Sequence, residues 1–147
     1  MSTIKDYLTT DHRECDEIFA KMEEIANDKD IATAKELYQE FAERIEHHFQ
    51  MEERVMFLEF ENKTGMTQGP TQMMRMEHQQ MRSILSQMGD SIEASNNDKF
   101  FGLSETLMIM MQQHNMKEEQ MLYTMAQQHL SADNDRVLDM MQSMVTE

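Results

Sequence analysis

Cysteine is almost missing from this chain. Cys15 stands alone, so no disulfide can close within the chain and no cysteine cage can hold zinc. Proline occurs once and glycine four times, too seldom for the tight turns of an all-β fold. Positive charge is scarce as well: 13 Lys and Arg face 28 Asp and Glu, a net charge of −15. That sign repels phosphate backbones and anionic headgroups, which sets nucleic acid and membranes aside as partners. No stretch reaches the roughly 18 apolar residues of a membrane span. The opening MSTIKDYLTT lacks the basic and apolar parts of a secretory signal. Together with the lone thiol, this predicts a reducing, cytoplasmic setting.

What remains is enough for one domain. The 147 residues are 39% apolar and 28% charged, so a single globular unit over 1–147 with its own core is expected. Turn-forming clusters lie at 27–30 (NDKD), 62–70 (NKTGMTQGP) and 95–98 (SNND). Between them the spacing predicts helices near 10–27, 31–61, 70–94 and 98–129. Thr10 or Asp11, Asp30, Thr71 and Asp98 are placed to act as N-caps or first-turn acids. Short loops between long helices make neighbours antiparallel. The expected fold is therefore all-α, an up-down-up-down four-helix bundle over about 8–129. From about 132 to 146, Val137, Leu138, Met141 and Val145 recur at helical spacing. This predicts a short amphipathic C-terminal helix, packed on the bundle or on a partner, either a second copy or another protein.

The apolar stripes follow alternating steps of three and four. They read Leu8, His12, Cys15, Phe19, Met22, Ala26; then Phe41, Ile45, His48, Glu52, Val55; then Met74, His78, Met81, Leu85, Met88, Ile92; then Leu107, Met111, His114, Glu118, Met121, Met125. Only His and Glu interrupt them. His78, His114 and Glu118 follow His12, His48 and Glu52 by 66 residues each, and HFQMEE at 48–53 matches HNMKEE at 114–119. The pattern is that of a duplicated helical hairpin.

These six side chains share one layer. The midpoint of His12 and His48 is residue 30, that of His78 and His114 is 96, and that of Glu52 and His78 is 65, each inside a predicted loop. Bare carboxylates in an apolar core are very unfavourable, and imidazoles with nothing to bind leave nitrogens unsatisfied. Metal ions resolve both problems; a polar His–Glu network with water is the alternative. Residues four apart on a helix lie about 40° apart in projection and residues five apart about 140°. His48 with Glu52, and His114 with Glu118, can thus serve one centre, with Glu53 and Glu119 turned elsewhere. Imidazole and carboxylate suit iron, manganese or zinc. Six protein ligands leave positions open on two ions. Neither the Glu-x-x-His of ferritin-like bundles nor the His-Glu-x-x-His of zinc peptidases is present.

The full pattern, His12…His48-x-x-x-Glu52…His78…His114-x-x-x-Glu118, resembles the hemerythrin-like (HHE cation-binding) family over about residues 8–129. The resemblance implies two iron ions with an oxo or hydroxo bridge. It makes Glu52 and Glu118 the bridging carboxylates and His12, His48, His78 and His114 the terminal ligands. Oxygen-carrying members have a His-x-x-x-His pair on the third helix, where Met74 and Arg82 flank His78 here. They also have Asp five residues after the last His, where Glu119 stands here. The four-His, two-Glu set looks more like the iron–sulfur-centre repair proteins and related stress-type members. The repair proteins carry an additional cysteine-bearing N-terminal domain, without a counterpart in these residues.

The resemblance implies handling of small oxidants, nitric oxide or hydrogen peroxide, in a stress response, as a di-iron oxidoreductase. No catalytic residue apart from the metal ligands is expected. Reversible O2 binding or sensing, iron storage or delivery to a partner, and a purely structural bundle are the competing readings. Cys15, His47, Glu53 and Glu119 are candidates for the layer around the ligands, with Glu53 and Glu119 as fallback ligands. Cys15 also reads as a small core residue, and Met81 holds the matching place in the second half. His129 reads as a helix C-terminal group. Tyr38 and Tyr123 lie off the layer by spacing and carry no assigned role. The 19 methionines are read as flexible core filler, ahead of a sacrificial sink for oxidants.

Overall fold

The computed structural model describes residues 2–147. Helix α1 is Ile4–Asn27. Helix α2 runs over 31–64 as one rod, made of Ile31–Met51, a π turn Glu52–Met56, and Phe57–Thr64. Helix α3 is Pro70–Glu93. Helix α4 runs over 97–129 in the same way as α2: Asn97–Lys117, a π turn Glu118–Leu122, and Tyr123–His129. A 3-10 turn, Ser131–Asp133, leads into α5, Asn134–Gln142. Among the described residues there is no strand, and no helix is long and apolar enough to cross a membrane.

The caps explain the boundaries. Helix α1 begins one and a half turns earlier than its turn signals suggest, because the Thr3 hydroxyl accepts from the Asp6 N–H at 3.0 Å. Thr10 and Asp11 are therefore interior residues and not caps. Asp30 caps α2 through the Thr33 N–H, and Asn96 caps α4 through that of Lys99, leaving Asp98 in the first turn. Pro70 opens α3, where its missing N–H costs nothing. Thr71 instead donates to the carboxylate of Glu61, which Arg75 also grips, and this locks the α2–α3 corner.

Cross-helix bonds run in opposing register. Lys5 meets Gln127 and Arg13 meets Glu119 between α1 and α4; Glu46 meets Arg82 and Glu53 meets His78 between α2 and α3. Each helix is thus antiparallel to its neighbours in a closed four-helix bundle. Where α2 crosses α3, the Tyr38 hydroxyl donates to the Leu85 carbonyl. Gly89 makes room there, since a Cβ at that position would lie 2.8 Å from the hydroxyl.

Two apolar clusters fill the bundle, one on each side of the His/Glu layer. One holds Cys15, Phe19, Met22, Phe41, Met81 and Met88. The other holds Leu8, Met51, Phe57, Phe60, Leu122 and Tyr123, and α5 lays Val137, Leu138 and Met141 into it. Val145, on the predicted apolar side of the tail, lies beyond α5 and is exposed. Residues 145–147 strap back over α2, bonding His47, Gln50 and Arg54. The methionines divide: many are core filler, but Met73, Met76, Met116 and Met121 are each more than half exposed.

Met121 marks a departure from the sequence pattern. A straight α4 would bury it. The π turn widens the helix by one residue, and the inward positions after Glu118 become Leu122, Tyr123 and Ala126, at 0–1% exposure, against 59% for Met121.

Candidate metal centre

All six predicted layer residues meet in the structure. His12, His48, Glu52, His78, His114 and Glu118 are at most 2% exposed. They form two quartets, His12–His48–Glu52–Glu118 and Glu52–His78–His114–Glu118, each with donor atoms within 4.8 Å of one another. The two carboxylates belong to both. In each quartet the two His come from one hairpin.

Each imidazole is oriented by a carboxylate behind it. The Nδ1–H of His12 donates to Glu119 at 2.8 Å, that of His48 to Asp11 at 2.7 Å, that of His78 to Glu53 at 2.7 Å, and that of His114 to Glu77 at 2.8 Å. This turns every Nε2 toward the centre and raises its basicity. Glu77 and Glu119 follow Asp11 and Glu53 by 66 residues, so the repeat extends to this outer layer. The cations behind it do not follow the repeat. Arg13 holds Glu119, Arg44 holds Asp11, Arg82 holds Glu53 and Lys117 holds Glu77.

The predicted outer candidates separate accordingly. Glu53 and Glu119 lie behind His78 and His12 and face away from the centre. His47 bonds the Thr146 hydroxyl at 2.6 Å, at the C-terminal strap. Cys15 is buried in the neighbouring apolar cluster, and burial pushes its thiol up to about 11, far from a reactive thiolate. His129 sits edge-on to Phe60.

Three residues escaped the sequence reading. Asp11 stood there only as a possible cap, and Glu77 was given no role. Tyr123 had no role, yet its hydroxyl donates to Glu52 Oε2 at 2.7 Å and lies 3.0 Å from His12 Nε2. The cause is the π turn, in which the Tyr123 N–H reaches the Glu118 carbonyl five residues back. Residues five apart then share a face, as they do not in an α-helix. One signal was legible: EERVMF at 52–57 aligns with EEQMLY at 118–123, placing an aromatic five residues after each buried Glu.

The electrostatics show what the donors want. Burial pulls the His48 imidazole down, but Glu52 and Asp11 outweigh it and hold it well above its usual value. Burial is likewise overcome at His78, which Glu118, Glu52 and Glu53 lift to about 10. Burial pushes Glu118 up, and His114 and its other partners bring it well below the usual carboxylate range. The raised imidazoles and the lowered Glu118 carboxylate thus face one another across the site. Even so, Glu52 Oε1, Glu118 Oε2, His78 Nε2 and His114 Nε2 are buried without a hydrogen-bond partner. His78 Nε2 stands 3.2 Å from Glu52 Oε1, and His114 Nε2 stands 3.0 Å from Glu118 Oε1, neither in hydrogen-bonding geometry. Such convergence of orphaned donors fits divalent or trivalent cations, and this donor set suits iron.

The family model of the hemerythrin HHE cation-binding domain matches residues 3–126. This chain belongs to that family, and its buried His/Glu quartets fit a metal site. No curated protein and no solved structure matches the chain.

Proposed function

We propose that the protein is a non-haem di-iron protein that consumes a small oxidant, nitric oxide or hydrogen peroxide. His12 and His48 hold one iron, His78 and His114 the other, and Glu52 and Glu118 bridge them together with an oxo or hydroxo group. The observation that carries this reading is the pair of quartets sharing two carboxylates. Six protein side chains cannot saturate two six-coordinate ions, so the centre has room for a reactant. Iron bound there supplies one-electron steps at two adjacent ions and positions for a small ligand.

The chain's own residues do the rest. Asp11, Glu53, Glu77 and Glu119 keep each Nδ1 protonated and each Nε2 directed inward. Phe49 stacks on His78 at 4.1 Å and Phe57 at 5.7 Å, covering that quartet with apolar rings that exclude bulk water. Burial of all six ligands weighs against delivery of iron to a partner, which needs ligands that an acceptor can approach.

The test is metal content followed by turnover. Protein loaded anaerobically with Fe(II) is expected to hold two irons per chain and to consume peroxide or nitric oxide catalytically. Loaded protein that is inert to both but binds O2 reversibly would replace this reading with oxygen binding. A chain that takes up no iron would leave only a polar network.

A further inference from the structure

Tyr123 and Phe57 occupy matching places 66 residues apart, each five residues after a buried Glu and each accepted into a π turn. Their rings are set alike. Tyr123 stacks on His12 with centroids 5.4 Å apart at 26°, and Phe57 stacks on His78 at 5.7 Å and 18°. At this position the two halves differ by one oxygen atom.

That oxygen touches a whole quartet. It lies 3.0 Å from His12 Nε2, 3.3 Å from His48 Nε2, 2.7 Å from Glu52 Oε2 and 3.2 Å from Glu118 Oε1. Neighbouring ligands at right angles around an ion, each at about 2.1 Å from it, lie about 3.0 Å apart. The hydroxyl therefore already keeps the spacing of a fifth ligand to the other four. Phe57 brings no polar atom to the His78–His114 quartet.

Resting on the di-iron reading above, we infer that Tyr123 is a fifth, phenolic oxygen ligand to the ion held by His12 and His48, so that the two positions are chemically unequal. Tyrosinate is an established ligand of iron. The phenolic proton leaves with those that metal binding displaces from the site. The ion beside Phe57 then has one protein ligand fewer, and so one more coordination position for a reactant small enough to pass the aromatic cover. At this position a single hydroxyl sets the two halves of the duplicated hairpin apart.

The experiment uses the full chain, loaded with iron, oxidised and desalted, with iron counted beside visible and resonance Raman spectra. Wild type is expected to show a phenolate-to-iron absorption and enhanced phenolate ring modes. Tyr123→Phe is expected to lose both while keeping two irons per chain. Iron-loaded wild type without phenolate modes, or with modes that persist in Tyr123→Phe, overturns the inference and leaves the di-iron reading standing. Wild type that binds no iron overturns both. The wild-type Raman spectrum decides alone if the variant does not fold.

Discussion

His48 donates its Nδ1–H to Asp11 at 2.7 Å, and Arg44 holds the same carboxylate from the other side at 2.7 Å. The same relation recurs around His114, where Glu77 is held by Lys117 at 2.6 Å. Each imidazole is thus aimed before any cation arrives. Outer partners of this kind are worth about 10–100-fold in metal affinity. Asp11→Ala and Glu77→Ala are each expected to weaken iron or zinc binding by that factor in chelator competition. Asp16→Ala, on the same helix face as Arg13 but with no bond to a site imidazole, is the control and is expected to leave affinity unchanged.

Metal removal should lower stability without abolishing the fold, because two apolar clusters stand on either side of the site. A ligand that binds only the folded state at a hundredfold excess over Kd adds about 2.7 kcal/mol, and each kcal/mol moves the midpoint of a domain this size by roughly 2–4 °C. Thermal melts with iron and after chelation should differ by at least that amount. Coincident melts would mean that the folded state gains nothing from the cation.

The metal-free protein should lose stability at both extremes of pH. His78 is raised to about 10 in the folded chain, so its contribution is complete below its unfolded value near 6.5 and fades as pH rises toward 10. Burial pushes Glu53 up, but His78 and Arg82 outweigh it and hold it at about 2, so its contribution holds above about 4.5 and is lost as pH falls toward 2. Denaturant midpoints of chelated protein should therefore fall above pH 6.5 and again below 4.5. Glu53→Gln should flatten both limbs.

The π register makes a prediction opposite to that of a straight helix. Leu122 is 1% exposed and Met121 is 59% exposed. Leu122→Ala should cost about 2–5 kcal/mol, as truncation of a core residue does. Met121→Ala should stay within about 0.5 kcal/mol. Equilibrium unfolding of the two variants reads the register directly.

The six buried polar residues were legible because they break an otherwise apolar stripe at helical spacing and recur after 66 residues. Helix spacing and antiparallel packing are local rules, and they suffice to bring all six into one layer. The expected start of α1, the inward place given to Met121 and the place off the layer given to Tyr123 went astray for local reasons that a stripe does not show. One hydroxyl at Thr3 extended α1, and one extra residue per π turn shifted everything after Glu118.

The sequence by itself determined the bundle, its duplication and the chemistry of its central layer, since periodicity and composition decide which side chains must be inside. Only the tertiary structure decided which His pair with which, which carboxylate stands behind each ring, and that a tyrosine enters the site. Those outcomes depend on contacts between residues far apart in the chain, such as Asp11 with His48 and Tyr123 with His12, and on a helical turn whose widening changes the face each residue presents.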